Sequence, residues 1–134
     1  MREFYKYGEG DFISPERKTK HSAGYDFYLS EDITLMPRGL VFGKSNTAVS
    51  MDEDDVLLLF ARSSLCKSGV ILANGVGVVD ADYTGEIMFP LINMSDNVVS
   101  FKKGERIAQG VFLKYNTCGE VVSKLRDGGF GSTN

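Results

Sequence analysis

The chain's apolar runs are short, and none has the length or period of a packed helix. Residues 27–29, 33–35, 39–42, 56–60, 70–72, 85–92, 98–101 and 106–115 are each bounded by Gly, Pro, Asn, Asp or Ser. Short runs of this kind, at roughly ten-residue spacing with turn residues between them, read as strands. The pattern predicts an all-β, jelly-roll-like antiparallel β-barrel. Pro37-Arg38-Gly39 and Asp52-Glu53-Asp54-Asp55 read as turns, the second as a solvated hairpin tip. Only one helix is expected, a turn or two over residues 63–69 with Ser63 or Ser64 as cap and Gly69 as stop.

At 134 residues the chain is of single-domain size. A domain of this size buries about two thirds of its unfolded surface, so it needs no disulfide or metal to hold it. Residues 1–125 read as that domain. Residues 126–134 (RDGGFGSTN) are Gly-rich and polar, and they read either as a frayed end or as an arm that orders over a ligand. The formal net charge of −3 argues against nucleic acid as a partner. A charged substrate must then be met by a few placed cations. Cys66 and Cys118 lack CxxC spacing and read as reduced thiols, and the first residues show no apolar signal segment. A cytoplasmic protein that neither spans nor enters a membrane is expected.

Several chemistries are excluded. His21 is the single histidine, so a serine triad would have to use it, and no GxSxG elbow exists to hold the serine. Zinc spacing is absent. Residues 39–45 (GLVFGKS) fall one residue short of a phosphate-binding P-loop, and no helix pattern follows. Residues 75–77 (GVG) do not open a helix, as a dinucleotide fingerprint would. Asp80, Asp82 and Gly85 begin an EF-hand pattern, but the position that needs a bidentate glutamate is Leu91.

Five segments between the strands remain: 22–27 (SAGYDF), 61–65 (ARSSL), 74–86 (NGVGVVDADYTGE), 104–109 (GERIAQ) and 126–133 (RDGGFGST). Arg62 with Ser63 and Ser64 joins a cation to two hydroxyls, which suits either a phosphate cradle or a capped turn. Asp80 and Asp82 flank a turn beside Tyr83, and alternation along an extended backbone points them apart. Phe130 has no local core to join and suits stacking on a flat ring.

In this order the five segments resemble the five motifs of the trimeric dUTPase family over nearly the whole chain. N-x-x-G-x-x-D-x-D-Y-x-G-E and GGFGST are the most specific of them. The resemblance implies a homotrimer whose sites are shared between chains. It implies hydrolysis of dUTP to dUMP and pyrophosphate with Mg²⁺ on the triphosphate. Asp80 then matches the water-activating aspartate. Tyr83 matches the residue under the deoxyribose, which excludes a 2′-hydroxyl. Asn74, Gly77, Val78, Val79 and Met88 belong to the uracil pocket, a hairpin that reads the base with main-chain groups. Arg62, Ser63, Ser64 and Gln109 match the phosphate-binding positions, and Asp26 the aspartate that supports magnesium through water. Arg126 is assigned to the γ-phosphate, Phe130 to stacking on uracil, and Gly131, Ser132 and Thr133 to phosphate contacts. Three positions depart from the family pattern: Ala61, Phe27, and the spacing of Arg126, which lies one residue closer to GGF. Lys124 is another cation within reach. Two other readings share much of this pattern, a dCTP deaminase of the same fold and a regulatory homologue that binds protein partners. The D-x-D-Y form and the GGFGST tail favour the dUTPase.

Overall fold

The computed structural model describes residues 1–127, and the expectations for Phe130, Gly131, Ser132 and Thr133 lie outside them. Eleven strands and one short helix follow one another: β1 (Glu3–Lys6), β2 (Tyr25–Tyr28), β3 (Ile33–Leu35), β4 (Leu40–Lys44), β5 (Thr47–Ser50), β6 (Asp55–Ala61), α1 (Ser63–Lys67), β7 (Val70–Leu72), β8 (Gly77–Asp80), β9 (Met88–Asn93), β10 (Val99–Phe101) and β11 (Arg106–Lys114). All pairings between them are antiparallel. The jelly-roll-like architecture read from the sequence is present, but the ladders divide into four sheets instead of closing into one barrel. Their orders are β1-β5, β10-β3, β2-β11-β6-β8 and β4-β9-β7.

Alternation builds the core. On β6 the side chains of Asp55, Leu57 and Leu59 point inward, and on β9 those of Phe89, Leu91 and Asn93 do. Phe27 and Phe89 meet edge to face at 5.3 Å between centroids and join the inward rows of two sheets. The fully buried amide of Asn93 has all of its polar groups in use. Its Nδ2 donates to Leu35 O at 3.0 Å and to Asn97 O at 2.7 Å, and its Oδ1 accepts from Ser95 N at 2.9 Å.

Two local expectations are corrected. The N-cap of α1 is Arg62, with no side-chain cap bond, and neither Ser63 nor Ser64. Both serines lie inside the first turn, because Arg62 N is already held by Ile107 O at 3.2 Å. Gly69 does stop the helix, at φ +81°, where a side chain would be strained. The turn at residues 52–55 is not a solvated hairpin tip. It links strands of different sheets, and Asp55 is fully buried. Arg2 reaches Asp55 Oδ1 at 2.8 Å and Lys114 Nζ reaches it at 3.0 Å. These cations hold the Asp55 carboxyl down to about 2, and Asp54 and Asp55 push the Lys114 ammonium up to about 12. Among the described residues, Asp52, Asp54 and Asp55 form the one carboxylate group compact enough to ligate a metal directly. Lys114 lies at 3.6, 2.7 and 3.0 Å from its three members, the N-terminal ammonium at 2.7 Å from Asp52 and Arg2 at 2.8 Å from Asp55, so three cations already face three carboxylates.

Both cysteines are free and exposed. His21 sits exposed in a turn. Among the described residues no helix is long and apolar enough to cross a membrane.

Candidate active site

The segment from Asn74 to Met88 is not a hairpin. β8 pairs with β6, whereas β9 pairs with β4 and β7, so the chain crosses from one sheet to another between them. Gly75, at φ +71°, makes the turn after Asn74. Along β8, Gly77 and Val79 face inward and Val78 and Asp80 face out. Val79 is a core residue, so any contact it makes with a ligand is through its main chain. β8 is also the outer strand of its sheet. Half of its backbone N–H and C=O groups therefore point away from β6, open to an incoming polar edge.

The crossing turn is built around Tyr83. Its N–H donates to Asp80 O at 3.0 Å, and its buried phenol donates to Glu86 O at 2.7 Å. Burial pushes the phenol up from its ordinary value, so it remains a donor. Gly85 lies against the ring: a Cβ there would sit 2.6 Å from the Tyr83 oxygen. Glu86 ties the far end down by accepting from Asn46 N at 2.8 Å, and Ile87 N donates to Thr47 O at 2.8 Å. Thus a buried ring and a braced turn hold the Asp80 carboxylate at the surface, 48% exposed. Arg126 lies over this group. Its Nη1 meets Asp80 Oδ2 at 2.9 Å and Asp82 Oδ1 at 3.2 Å, and its guanidinium stacks 5.3 Å from the Tyr83 ring centroid. The two carboxylates raise the guanidinium's affinity for its proton.

A second group forms where β2, β11 and the end of β6 meet. Asp26 is buried, and its two oxygens divide between two arginines: Arg62 Nε at 3.2 Å from Oδ1, and Arg106 Nη1 at 3.2 Å from Oδ2. Arg62 Nη1 donates to Arg106 O at 2.7 Å. Gln109, opposite Asp26 in the β2–β11 register, donates from Nε2 to Ala61 O at 3.2 Å. Asp26, Arg62 and Gln109 line a cavity of about 470 Å³ with Ser63, Lys18 and Gly24. Gly24 has a clear reason: a Cβ there would fall 2.2 Å from Gln109 Oε1. An anion entering the cavity would find a fixed cation, a hydroxyl and an amide.

The two groups lie far apart on one chain. Asp80 pairs with Val56 near the start of β6, and Arg62 follows its end, six residues on. At the usual strand rise that is about 20 Å along the strand. Arg62 also turns across β11 towards Asp26 on β2, away from β8. The Asp80 carboxylate and the Arg62 guanidinium of one chain therefore do not converge on one phosphorus.

Of the positions singled out in the sequence, the fold joins Asp26, Arg62, Ser63 and Gln109 in one group. Asn74, Gly77, Val78, Asp80 and Tyr83 make the other, along β8 and its flanking turns, with Met88 where the crossing ends. Ser64 is exposed, 3.5 Å from Arg62 Nη1. Arg106, Gly24 and Glu86 were inside the segments read from the sequence but had no role assigned. Nothing local marks Arg106 as a partner of Asp26, 80 residues away, although a cation inside GERIAQ was a usable hint.

A family model described as dUTPase matches residues 11–134. The deoxyuridine 5'-triphosphate nucleotidohydrolase of Lactococcus lactis subsp. lactis (strain IL1403) is 35% identical over 138 residues, covering 96% of this chain and 92% of its own. The crystal structure of dUTPase from Streptococcus mutans superposes with a TM-score of 0.80 at 34% identity, over 87% of this chain and 98% of that one. The Staphylococcus bacteriophage 80alpha dUTPase with dUPNHPP gives a TM-score of 0.81 at 25% identity, over 100% of this chain and 98% of its own.

Proposed function

This chain belongs to the dUTPase family, and from that premise we propose how its residues divide the hydrolysis of dUTP to dUMP and pyrophosphate. The observation that carries the proposal is the braced turn around Tyr83, which joins an open backbone edge on β8 to an outward carboxylate at Asp80. Uracil fits the edge, since a pyrimidine offers donors and acceptors that a free strand can meet. Asn74, Gly77, Val78 and Val79 contribute backbone and Met88 a packing wall. Deoxyribose rests on Tyr83, whose ring is immobilised by its bond to Glu86 O and by Gly85. A 2′-hydroxyl would have to displace a ring that cannot move, and overpacking of that kind costs about 1–3 kcal/mol.

Asp80 positions a water for in-line attack on the α-phosphorus and accepts its proton. A carboxylate is a weak base, so orientation and electrostatics supply most of the acceleration. Arg62, Ser63, Ser64 and Gln109 hold the phosphates. Because that group lies about 20 Å along β6 from Asp80 of the same chain, each site takes the two groups from different chains of a homotrimer. Arg126 rests on Asp80 and Asp82, and a triphosphate draws it off as a richer source of negative charge. Residues 126–134 act as the arm, with Phe130 stacking on the base and Gly131, Ser132 and Thr133 contacting phosphate.

Magnesium, when bound, neutralises phosphate charge and is held by phosphate oxygens and waters. Asp26 suits a supporting role through water. Each of its oxygens meets one guanidinium at 3.2 Å and keeps a further lone pair.

Replacement of the base tests this division. Asp80→Asn should retain nucleotide binding, measured by calorimetry, while turnover falls by about two orders of magnitude or more. Near-normal turnover would remove Asp80 from its role.

A further inference from the structure

Lys18 borders the cavity beside Asp26 and Arg62, although it lies outside the five segments singled out in the sequence. Its loop is closed at both ends. Asp26 N donates to Glu16 O at 2.9 Å and Glu16 N donates to Asp26 O at 3.3 Å, so the chain leaves and returns beside the carboxylate that holds Arg62 and Arg106. Inside the loop, Arg17 Nη1 donates to Lys20 O at 2.9 Å and to Ser22 O at 3.1 Å, and Ser22 N donates to Thr19 O at 3.2 Å. Tyr28 lies two residues after Asp26 on β2, so the two side chains share one face of that strand. The Lys18 ammonium is fixed against this face. Nζ donates to Glu16 Oε1 at 2.5 Å and to the Tyr28 hydroxyl oxygen at 2.9 Å, and the Tyr28 hydroxyl donates to the same Glu16 oxygen at 2.6 Å. These bonds hold the Glu16 carboxyl below its ordinary range and raise the ammonium above its own, so both stay charged near neutral pH. The two side chains are 54% and 43% exposed, and an exposed pair of this kind adds little to stability. Stability therefore does not account for it.

We propose that Lys18 is a further phosphate ligand of this chain, donating to the pyrophosphate end of dUTP from the rim of the cavity. The inference rests on the reading that this cavity takes the phosphates. Three observations carry it. An ammonium has three N–H groups, and Glu16 and Tyr28 take two of them; among the described residues the third has no partner. Lys18 borders the cavity and Glu16 does not, so an incoming anion meets the cation and not its counter-ion. Of the charged side chains on the cavity wall, Asp26 already faces two guanidiniums, which leaves Arg62 and Lys18 to meet the ligand. Asp80 acts on the α-phosphorus from the nucleoside group, so the cavity receives the phosphates beyond it. As water's oxygen bonds to the α-phosphorus and Asp80 takes its proton, the bond to the bridging oxygen breaks and the electron pair stays with the pyrophosphate. A cation already held in place stabilises that charge without moving to meet it.

The test is pyrophosphate release from dUTP with magnesium by the full chain, wild type against Lys18→Met and Lys18→Arg. Lys18→Met keeps the apolar stem and removes the charge. It should lower kcat/KM for dUTP by about tenfold, the loss expected of one charge-assisted hydrogen bond at a partly exposed position. Inhibition by dUMP, which has no phosphate beyond the α position, should stay at the wild-type level, whereas a merely structural lysine would weaken both. Lys18→Arg keeps a cation and should regain most of the loss. Wild-type kcat/KM in Lys18→Met, an equal weakening of dUMP, or no recovery in Lys18→Arg would overturn the assignment while leaving dUTP hydrolysis in place. A wild type that releases no pyrophosphate from dUTP would overturn the reading of the cavity itself.

Discussion

Two inactive variants, mixed, should recover activity. Asp80→Asn removes the proposed base and leaves Arg62. Arg62→Ala removes the proposed phosphate ligand and leaves Asp80, with Asp26 still held by Arg106 at 3.2 Å. Each pure variant is broken at every site. In the proposed trimer, assembled at random from equal amounts, a site works when its Asp80 comes from an Arg62→Ala chain and its Arg62 from an Asp80→Asn chain. Each condition holds half the time, so about one quarter of sites are intact in a closed symmetric ring. The structural basis is the register of β8 on β6, which keeps the two groups of a single chain about 20 Å apart. The assay is pyrophosphate release at saturating dUTP after the variants are unfolded together and refolded. The account predicts turnover near one quarter of wild type, against about one hundredth or less for either parent. Activity equal to the mean of the parents, in a preparation where mass analysis shows mixed trimers, would mean that both groups act within one chain.

Two further outcomes follow from geometry already described. Asp55 has a folded-state value of about 2, below that of an exposed aspartate, so its contribution to stability is present above about pH 4 and is lost as pH falls towards 2. Thermal melts of Asp55→Asn should therefore lie well below wild type at pH 6 and converge on it by pH 2, and a constant gap would refute the ion-pair account. Gly24→Ala would place a Cβ 2.2 Å from Gln109 Oε1, forcing the amide to rotate and break its bond to Ala61 O. The loss of one placed amide should lower kcat/KM for dUTP by about tenfold with the melting temperature nearly unchanged; wild-type kinetics would show that Gln109 is not needed where it stands.

The parts of the fold legible in the sequence were those set by local alternation. β3 and β7 fall where their apolar runs predict, because each is bounded by turn residues and buries alternate side chains. β1, β5 and β8 were not read as strands. β1 is mostly exposed, so its four residues show no apolar face, and it is held by pairing with β5, more than forty residues on. β8 was hidden by Gly75 and Gly77, which look like one turn; Gly75 does turn the chain, but Gly77 opens a strand that runs close to Leu59. The run from 85 to 92 began too early, since Glu86 and Ile87 spend their polar groups on Asn46 and Thr47 before β9 begins. For the site, motif order picked out Asp26, Arg62 and Gln109, but their convergence depends on β2 and β11 pairing across the chain. The buried state of Asp55 could not be read either, because its cations come from residues 2 and 114.

The central claim is that a pocket made by β8 and Tyr83 presents dUTP, and no close relative of it, to Asp80. Pyrophosphate release with magnesium from dUTP, UTP, dTTP and dCTP, measured side by side, tests it most directly. The account predicts that kcat/KM for dUTP exceeds each of the others by at least about tenfold, the discrimination expected when a rigid pocket rejects one added or altered group. Comparable rates for dUTP and UTP would contradict the Tyr83 gate, and ammonia released from dCTP in place of pyrophosphate from dUTP would contradict the function itself.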